Sequence, residues 1–243
     1  MTSLLAARWT KGHPAVFYGM PDYANVEPII LHAHDGKQVR GLYWTPKNQP
    51  KPKTAVFAMH PRQDWSRHYT FPALIEAGIG CFGAVTRSPN NDIATIHEEI
   101  ALDAEACVRF LKQDRGVEKV VLLGNGGGGS LLALYQAQAR KPRRQRIART
   151  PGGRPTAFND FDMATGDGLI FLLCHKGEGR FMNEVIDPSV VDERNPLLSD
   201  RDLDLYDPRN GFRPSPHWSE SVSYTHLRAH ETKANLVCRL LLE

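Results

Sequence analysis

Several stretches of this chain are apolar at nearly every position rather than at every second one. Residues 54–59 (TAVFAM), 79–85 (IGCFGAV) and 168–174 (GLIFLLC) are runs of this kind, the mark of strands covered on both faces. Residues 119–123 (KVVLL) form the strongest strand of the chain. Upstream, residues 29–34 and 38–44 flank Asp35-Gly36-Lys37, and Asp-Gly supplies the positive φ that a tight hairpin needs. Helical spacing replaces the strand pattern at Ile96, Ile100, Ala104, Val108 and Leu111. Thr95 and Glu98 read as the N-cap and third-position partner of a capping box for that helix, which should end near Arg115-Gly116. Residues 130–139 (SLLALYQAQA) are strong helix formers, and 69–77 predict a short helix.

A hairpin followed by strands alternating with helices predicts an α/β fold: a mostly parallel sheet with helices on both faces, a three-layer α/β/α sandwich. Residues 1–27 carry the breakers Gly12, Pro14, Gly19 and Pro21 and read as an irregular N-terminal segment. Residues 28–175 form the predicted core. Residues 176–221, broken by Asp187-Pro188, Asn195-Pro196 and Asp207-Pro208, read as an irregular excursion or the start of a lid. Ligands of such sheets bind outside the carboxyl ends of the strands, so the segments after Met59, Val85, Leu123 and Cys174 are the places to look for chemistry.

The segment after Leu123 carries the most chemistry. Gly124-Asn125-Gly126-Gly127-Gly128 aligns with G-x-S-x-G, the sharp strand-to-helix turn that lifts a nucleophile above a sheet. The flanking glycines are in place, but the central position is Gly126, and a glycine cannot start covalent acyl transfer. Ser130 lies about one helical turn away from the apex and is no substitute. The same residues also fit G-x-G-x-x-G (Gly124, Gly126, Gly129), the dinucleotide fingerprint. That motif expects a strand ending in an acid about 20 residues on. Residues 140–149 (RKPRRQRIAR) offer neither. In a third reading, the glycines only allow helix and sheet to pack closely.

The hairpin, His60-Pro61 after the third strand, the helix before the turn and the run LGNGGGGSL at 123–131 together resemble the α/β-hydrolase fold family over about residues 27–221. They are most similar to bacterial members reading LGNSGGGSL at the turn. The stretches 187–192 and 206–212 resemble the same group. The resemblance implies an esterase-like hydrolase of carboxylic esters or similar acyl bonds, with a Ser-His-acid triad. It implies an oxyanion hole from the Gly127 amide and a second amide in the loop after the third strand, where Pro61 has no N–H and Arg62 or a neighbour would serve. His60 would orient that loop or be a satisfied buried histidine. The chain departs from the pattern at Gly126, so the expectation is a site inactive as written, or a binding protein without catalysis. Residues 222–243 resemble a translated sequencing adaptor and are set aside as an artefactual tail. The resulting expectation is a C-terminally truncated core, with the triad acid and histidine beyond Ser221 and His217, Asp187 and Asp192 unassigned.

Other chemistry is sparse. His32 and His34 share a strand face, but no third ligand sits at metal-site spacing, and no metal or cofactor is expected. His97-Glu98-Glu99 is not the zinc motif H-E-x-x-H. The basic run 140–149 reads as a solvated loop at a helix C-terminus. A formal net charge of +3 gives no field for nucleic acid. Hydrophobic residues are 41% and charged residues 23%, as in ordinary soluble domains. No apolar run approaches the roughly 18 residues that span a bilayer. The start lacks the basic n-region of a secretory signal. Cys81, Cys107, Cys174 and Cys238 form no C-x-x-C and suit a reducing compartment. The expected setting is cytoplasmic and the expected partner a small-molecule substrate, with neither nucleic acid nor membrane.

Overall fold

The computed structural model describes residues 19–91, 95–177, 179–180, 187–192, 194–195, 197–204 and 206–212. Most of the N-terminal segment, His217 and the adaptor-like tail lie outside them.

Six strands form one sheet: β1 (Ala24–His32), β2 (Gln38–Pro46), β3 (Thr54–Met59), β4 (Gly80–Val85), β5 (Lys119–Asn125) and β6 (Gly168–Leu172). Their spatial order is β1-β2-β4-β3-β5-β6. The β1–β2 and β2–β4 pairs are antiparallel, and β4–β3, β3–β5 and β5–β6 are parallel. Asp35-Gly36 makes the expected hairpin, with Gly36 at φ 80° and its amide donating to Ala33 O at 2.8 Å. β1 begins earlier and ends earlier than the apolar pattern suggested, at Ala24 and His32.

The helices are α1 (Phe71–Glu76), α2 (His97–Arg109) and α3 (Gly127–Ala139). A π-helical turn, Phe110–Asp114, extends α2 to Gly116 at φ 65°. Alternate residues of β3 face opposite layers, because side chains alternate along a strand. Ala55, Phe57 and Met59 pack with Ile100, Ala104, Leu131 and Leu132 of α2 and α3. Val56 and Ala58 pack with Trp44, Phe71 and Ile75 on the α1 side. The result is the three-layer, mostly parallel architecture of the α/β-hydrolase type.

Three local expectations are corrected. Thr95 does not cap α2: its hydroxyl bonds to Asn91 O, and the N-cap is Ile96 with no side-chain cap. Glu98 and Glu99 still occupy the first turn, where carboxylates suit the helix dipole. β6 is not covered on both faces. It is the last strand in the sheet order, and Ile170 and Phe171 are 46% and 60% exposed. Within the basic run, Arg146 is buried rather than solvated. Its guanidinium donates to Phe158 O and Phe161 O at 2.8 and 2.7 Å, pinning the loop before β6.

The chain divides into two compact units at residues 175/176. In the second, Asp187 accepts from Ser189 N and Oγ, and Asp192 from Arg194 N, so both carboxylates close local turns. Asp207 caps the 3₁₀ turn Pro208–Asn210, and Arg209 holds its carboxyl down to about 2.

Candidate functional site

The strand order reverses between β3 and β5: β4 follows β3 on one side, and β5 returns to the other. Such a switch point opens a crevice at the carboxyl ends of the two strands. Here those ends lead into His60 and Gly126.

Asn125 closes β5 buried, its amide nitrogen 3.1 Å from His68 Nε2 and donating to the Tyr69 hydroxyl at 3.2 Å. Burial alone lowers the His68 pKa to about 4, so that partner is neutral. The chain then turns sharply at Gly126, with φ 55° and ψ −126°. The Gly126 amide continues the sheet by donating to Leu172 O at 3.0 Å, and its carbonyl accepts from Gly129 N at 3.1 Å. α3 starts at the next residue. This is the bend expected of a nucleophile elbow.

The glycines do not share one role. A Cβ on Gly124 would sit 2.4 Å from Gly129 Cα, and one on Gly128 2.4 Å from Met59 O. A Cβ on Gly129 would meet Cys174 Sγ at 2.1 Å. These three glycines allow strand and helix to touch. A Cβ on Gly126 would meet only His60 Nε2, at 3.8 Å. Close packing therefore accounts for the flanks and leaves the apex with room for a side chain.

His60 follows β3 and is 7% exposed. Its Nδ1 accepts from the amides of Arg62 and Gln63, each at 3.1 Å. A nitrogen accepting two N–H bonds carries no proton, so the neutral ring is assigned its hydrogen on Nε2. Burial first, then Arg62, His175 and His97, lower its pKa to about 4. The ring is therefore an uncharged donor at neutral pH, with Nε2 toward the elbow. It is not a base at that nitrogen, which is already protonated. The Arg62 amide is spent on His60, while its carbonyl accepts from Asn90 N at 2.9 Å. Pro61 O accepts from the Thr86 hydroxyl at 3.0 Å, which ties the loop to the end of β4.

Gly127 lies under two imidazoles: its Cβ position is 3.1 Å from His60 Nε2 and 3.6 Å from His175 Nε2. Sequence reasoning singled out His60 and missed His175 and His97. His175 had a signal, since it directly follows the strand end at Cys174. His97 had none, because it opens a helix distant in sequence. Ser130 donates to Gly127 O at 3.0 Å, and the Cys174 thiol donates to Gly124 O at 2.9 Å, so both serve the turn. Among the described residues no group of three or more His, Cys, Asp or Glu side chains is placed to hold a metal. His34 stacks on Phe161 at 4.0 Å. No described helix is long and apolar enough to cross a membrane. A cavity of about 820 Å3 lies elsewhere on the rim, between Ile29, Arg40, Asp64 and Arg87, and no elbow residue lines it.

The chain matches no protein-family model and no curated protein. Its solved structural neighbours include brefeldin A esterase, a bacterial homologue of human hormone-sensitive lipase. That pair is 18% identical over 59% of this chain and 45% of the esterase, with a TM-score of 0.44. A prolyl endopeptidase is 17% identical over 54% of this chain and 21% of its own, at 0.43. A Pyrococcus furiosus esterase is 16% identical over 56% and 53%, at 0.40. The chain thus spans about a fifth to a half of the length of these proteins.

Proposed function

We propose that this chain is an esterase-type α/β-hydrolase scaffold whose elbow has lost its nucleophile, so that it engages a small acyl compound without forming an acyl-enzyme. The observation that carries the reading is the contrast within one glycine run. Gly124, Gly128 and Gly129 are jammed against backbone or sulfur, whereas Gly126 bends at φ 55° at the switch point, where a Cβ would make only an ordinary contact with His60 Nε2 at 3.8 Å. A Cβ would find room there, at the cost of the positive φ, and only a hydrogen is present. The opening amides of α3 supply donors where a carbonyl oxygen would develop charge. No described hydroxyl or thiol replaces the missing oxygen, because Ser130 and Cys174 are bonded into the turn.

Incubation with a fluorophosphonate probe, followed by mass spectrometry, tests this. The expected result is no adduct on any serine and no burst with 4-nitrophenyl butyrate. A labelled serine with turnover would refute the proposal. Saturable quenching or enhancement of NADPH fluorescence would instead favour the dinucleotide use of the glycine loop.

A further inference from the structure

The cavity of about 820 Å3 on the rim is separate from the elbow, and its floor is one face of the sheet. Residues opposite one another on paired strands share a face. The registers Pro28↔Leu42, Ile30↔Arg40 and Arg40↔Val85 therefore put these five side chains together, and all five line the cavity. Farther along β2 the same face is covered, since Trp44 is fully buried in the cluster with Phe71 and Ile75 of α1. Toward the hairpin that cover ends, and Ile30 is 62% exposed. The loop after β3 supplies a wall. Gly83, opposite Leu42, lies directly beneath it, because a Cβ there would come 2.1 Å from Trp65 O, and Asp64 and Ser66 line the cavity. Pro89 lines the side that follows β4.

Arg40 is the one charged side chain of the five, with apolar neighbours on both adjoining strands. Its guanidinium makes no hydrogen bond or ion pair with a described residue. The Lys37 ammonium at the hairpin turn is likewise unspent, because the nearby Asp35 is taken by Arg87. Arg87 itself is neutralised by Asp35 and Asp103. Among the described lining residues Asp64 is the only acid, and its Oδ1 accepts from the Ser66 amide at 2.7 Å.

We propose that this cavity binds an amphipathic organic acid of medium chain length, its carboxylate on Arg40 and its apolar body over Pro28, Ile30, Leu42 and Val85. A planar guanidinium takes a carboxylate through two parallel N–H···O bonds, and Lys37 adds positive charge at the same end. Asp64 on the wall disfavours a more highly charged head. The apolar body removes the exposed surface of Ile30 and its neighbours from water, a gain in proportion to the area covered. The volume lies within the roughly 300–1,000 Å3 of small-molecule sites. A floor with walls on two sides suits a single molecule better than the flat surface of a bilayer. The site does not depend on the elbow, and no elbow residue lines it.

Isothermal titration at neutral pH and fixed ionic strength tests this, with sodium octanoate below its micelle threshold, octanamide and sodium butyrate in separate runs. Octanoate should bind saturably. Octanamide, which lacks the charge, should bind about tenfold more weakly, the scale of a hydrogen bond to a charged group. Butyrate should also be weaker by about tenfold or more, since it has less apolar length to bury. Arg40→Gln keeps most of the stem and removes the cation, and should lose about tenfold in octanoate affinity. Ile30→Thr keeps a β-branched residue in β1 and should lose about threefold or more. The Arg40 Nε–H resonance of the unmodified protein is a readout that needs no variant, and octanoate should shift it. Absence of saturable binding, equal binding of octanamide or butyrate, undiminished affinity in Arg40→Gln, or an unmoved Arg40 resonance would overturn the proposal. So would co-sedimentation with phosphatidylglycerol vesicles by a protein that ignores free octanoate, which would make this face a membrane contact. Octanoate held at the elbow instead would leave Arg40→Gln undiminished, and fluorophosphonate labelling of the elbow has no bearing on this cavity.

Discussion

Placing an alanine at each glycine of the elbow in turn should reveal which of them hold the turn together. At Gly128 the new methyl would meet Met59 O at 2.4 Å, a backbone atom at the carboxyl end of the central strand β3. Relief requires α3 to lift from β3, and overpacking of that kind costs roughly 1–3 kcal/mol, or more where backbone must move. Gly124→Ala faces the same problem, 2.4 Å from Gly129 Cα. At Gly126 the nearest atom is 3.8 Å away, and only the backbone angle penalises a side chain. That strain is of order 1–3 kcal/mol. It is partly offset by about 0.4–1 kcal/mol because alanine has fewer unfolded conformations to lose. The net expectation is about 1 kcal/mol for Gly126→Ala and about 3 kcal/mol or more for Gly124→Ala and Gly128→Ala. Urea titrations followed by tryptophan fluorescence give the midpoints, with an unchanged m-value as the check that one transition is compared throughout. If Gly126→Ala proved as damaging as Gly128→Ala, the apex would have no room for a side chain, and the bend would not be a nucleophile elbow.

Other consequences are open to measurement. His60 and His68 should remain mostly neutral down to about pH 4, so their ring resonances should titrate well below the ordinary histidine range, and a midpoint near 6.5 would refute the reading of both rings as neutral buried groups. The linked stability has a definite sign: the unfolded rings bind protons below about 6.5 and the folded ones only near 4, so each ring contributes up to about 3 kcal/mol above pH 6.5 that is lost as pH falls toward 4. Asp103 and Glu105 are raised by burial and act in the opposite sense, so ring titrations are the cleaner readout. Arg87 joins β4 to the hairpin turn and α2 through Asp35 and Asp103, and the Asp103 side chain is fully buried. Arg87→Met should therefore cost about 3–5 kcal/mol by stranding a buried carboxylate, and a loss under 1 kcal/mol in thermal or urea unfolding would refute that.

The strands were legible because their hydrophobicity is local. Residues 54–59 and 119–123 need both faces covered wherever they go, and the structure covers both with helices. The sharp strand-to-helix turn was legible because a glycine run directly follows a strong strand and precedes strong helix formers. Edges and caps were not. Residues 168–172 have the composition of a central strand, and only their place at the end of the sheet order leaves Phe171 exposed. Thr95 has the right spacing for a cap, but its hydroxyl donates to Asn91 O, and a spacing rule has no information about that competitor. Arg146 sits in a run of charges that reads as solvated. Two carbonyls nearby in the folded loop draw it inward, and charge pattern alone does not reveal acceptors. His175 and His60 lie 115 positions apart in the sequence, and only the parallel order β3-β5-β6 brings their rings to one glycine.

The glycine at the apex also changes what the turn stores. A side chain at φ 55° and ψ −126° costs the fold of order 1–3 kcal/mol, a strain tolerated at functional sites when the surroundings over-determine the geometry. Here the surroundings still over-determine it. Gly126 N is held by Leu172 O, Asn125 by Tyr69, and Gly128 lies against Met59 O. With glycine at 126 the bend persists and the strain does not. The donors keep their positions because β3, β5 and α3 place them, not the apex residue. Under the proposed reading, a turn of this kind lacks a nucleophile and keeps its shape and the free opening amides of α3.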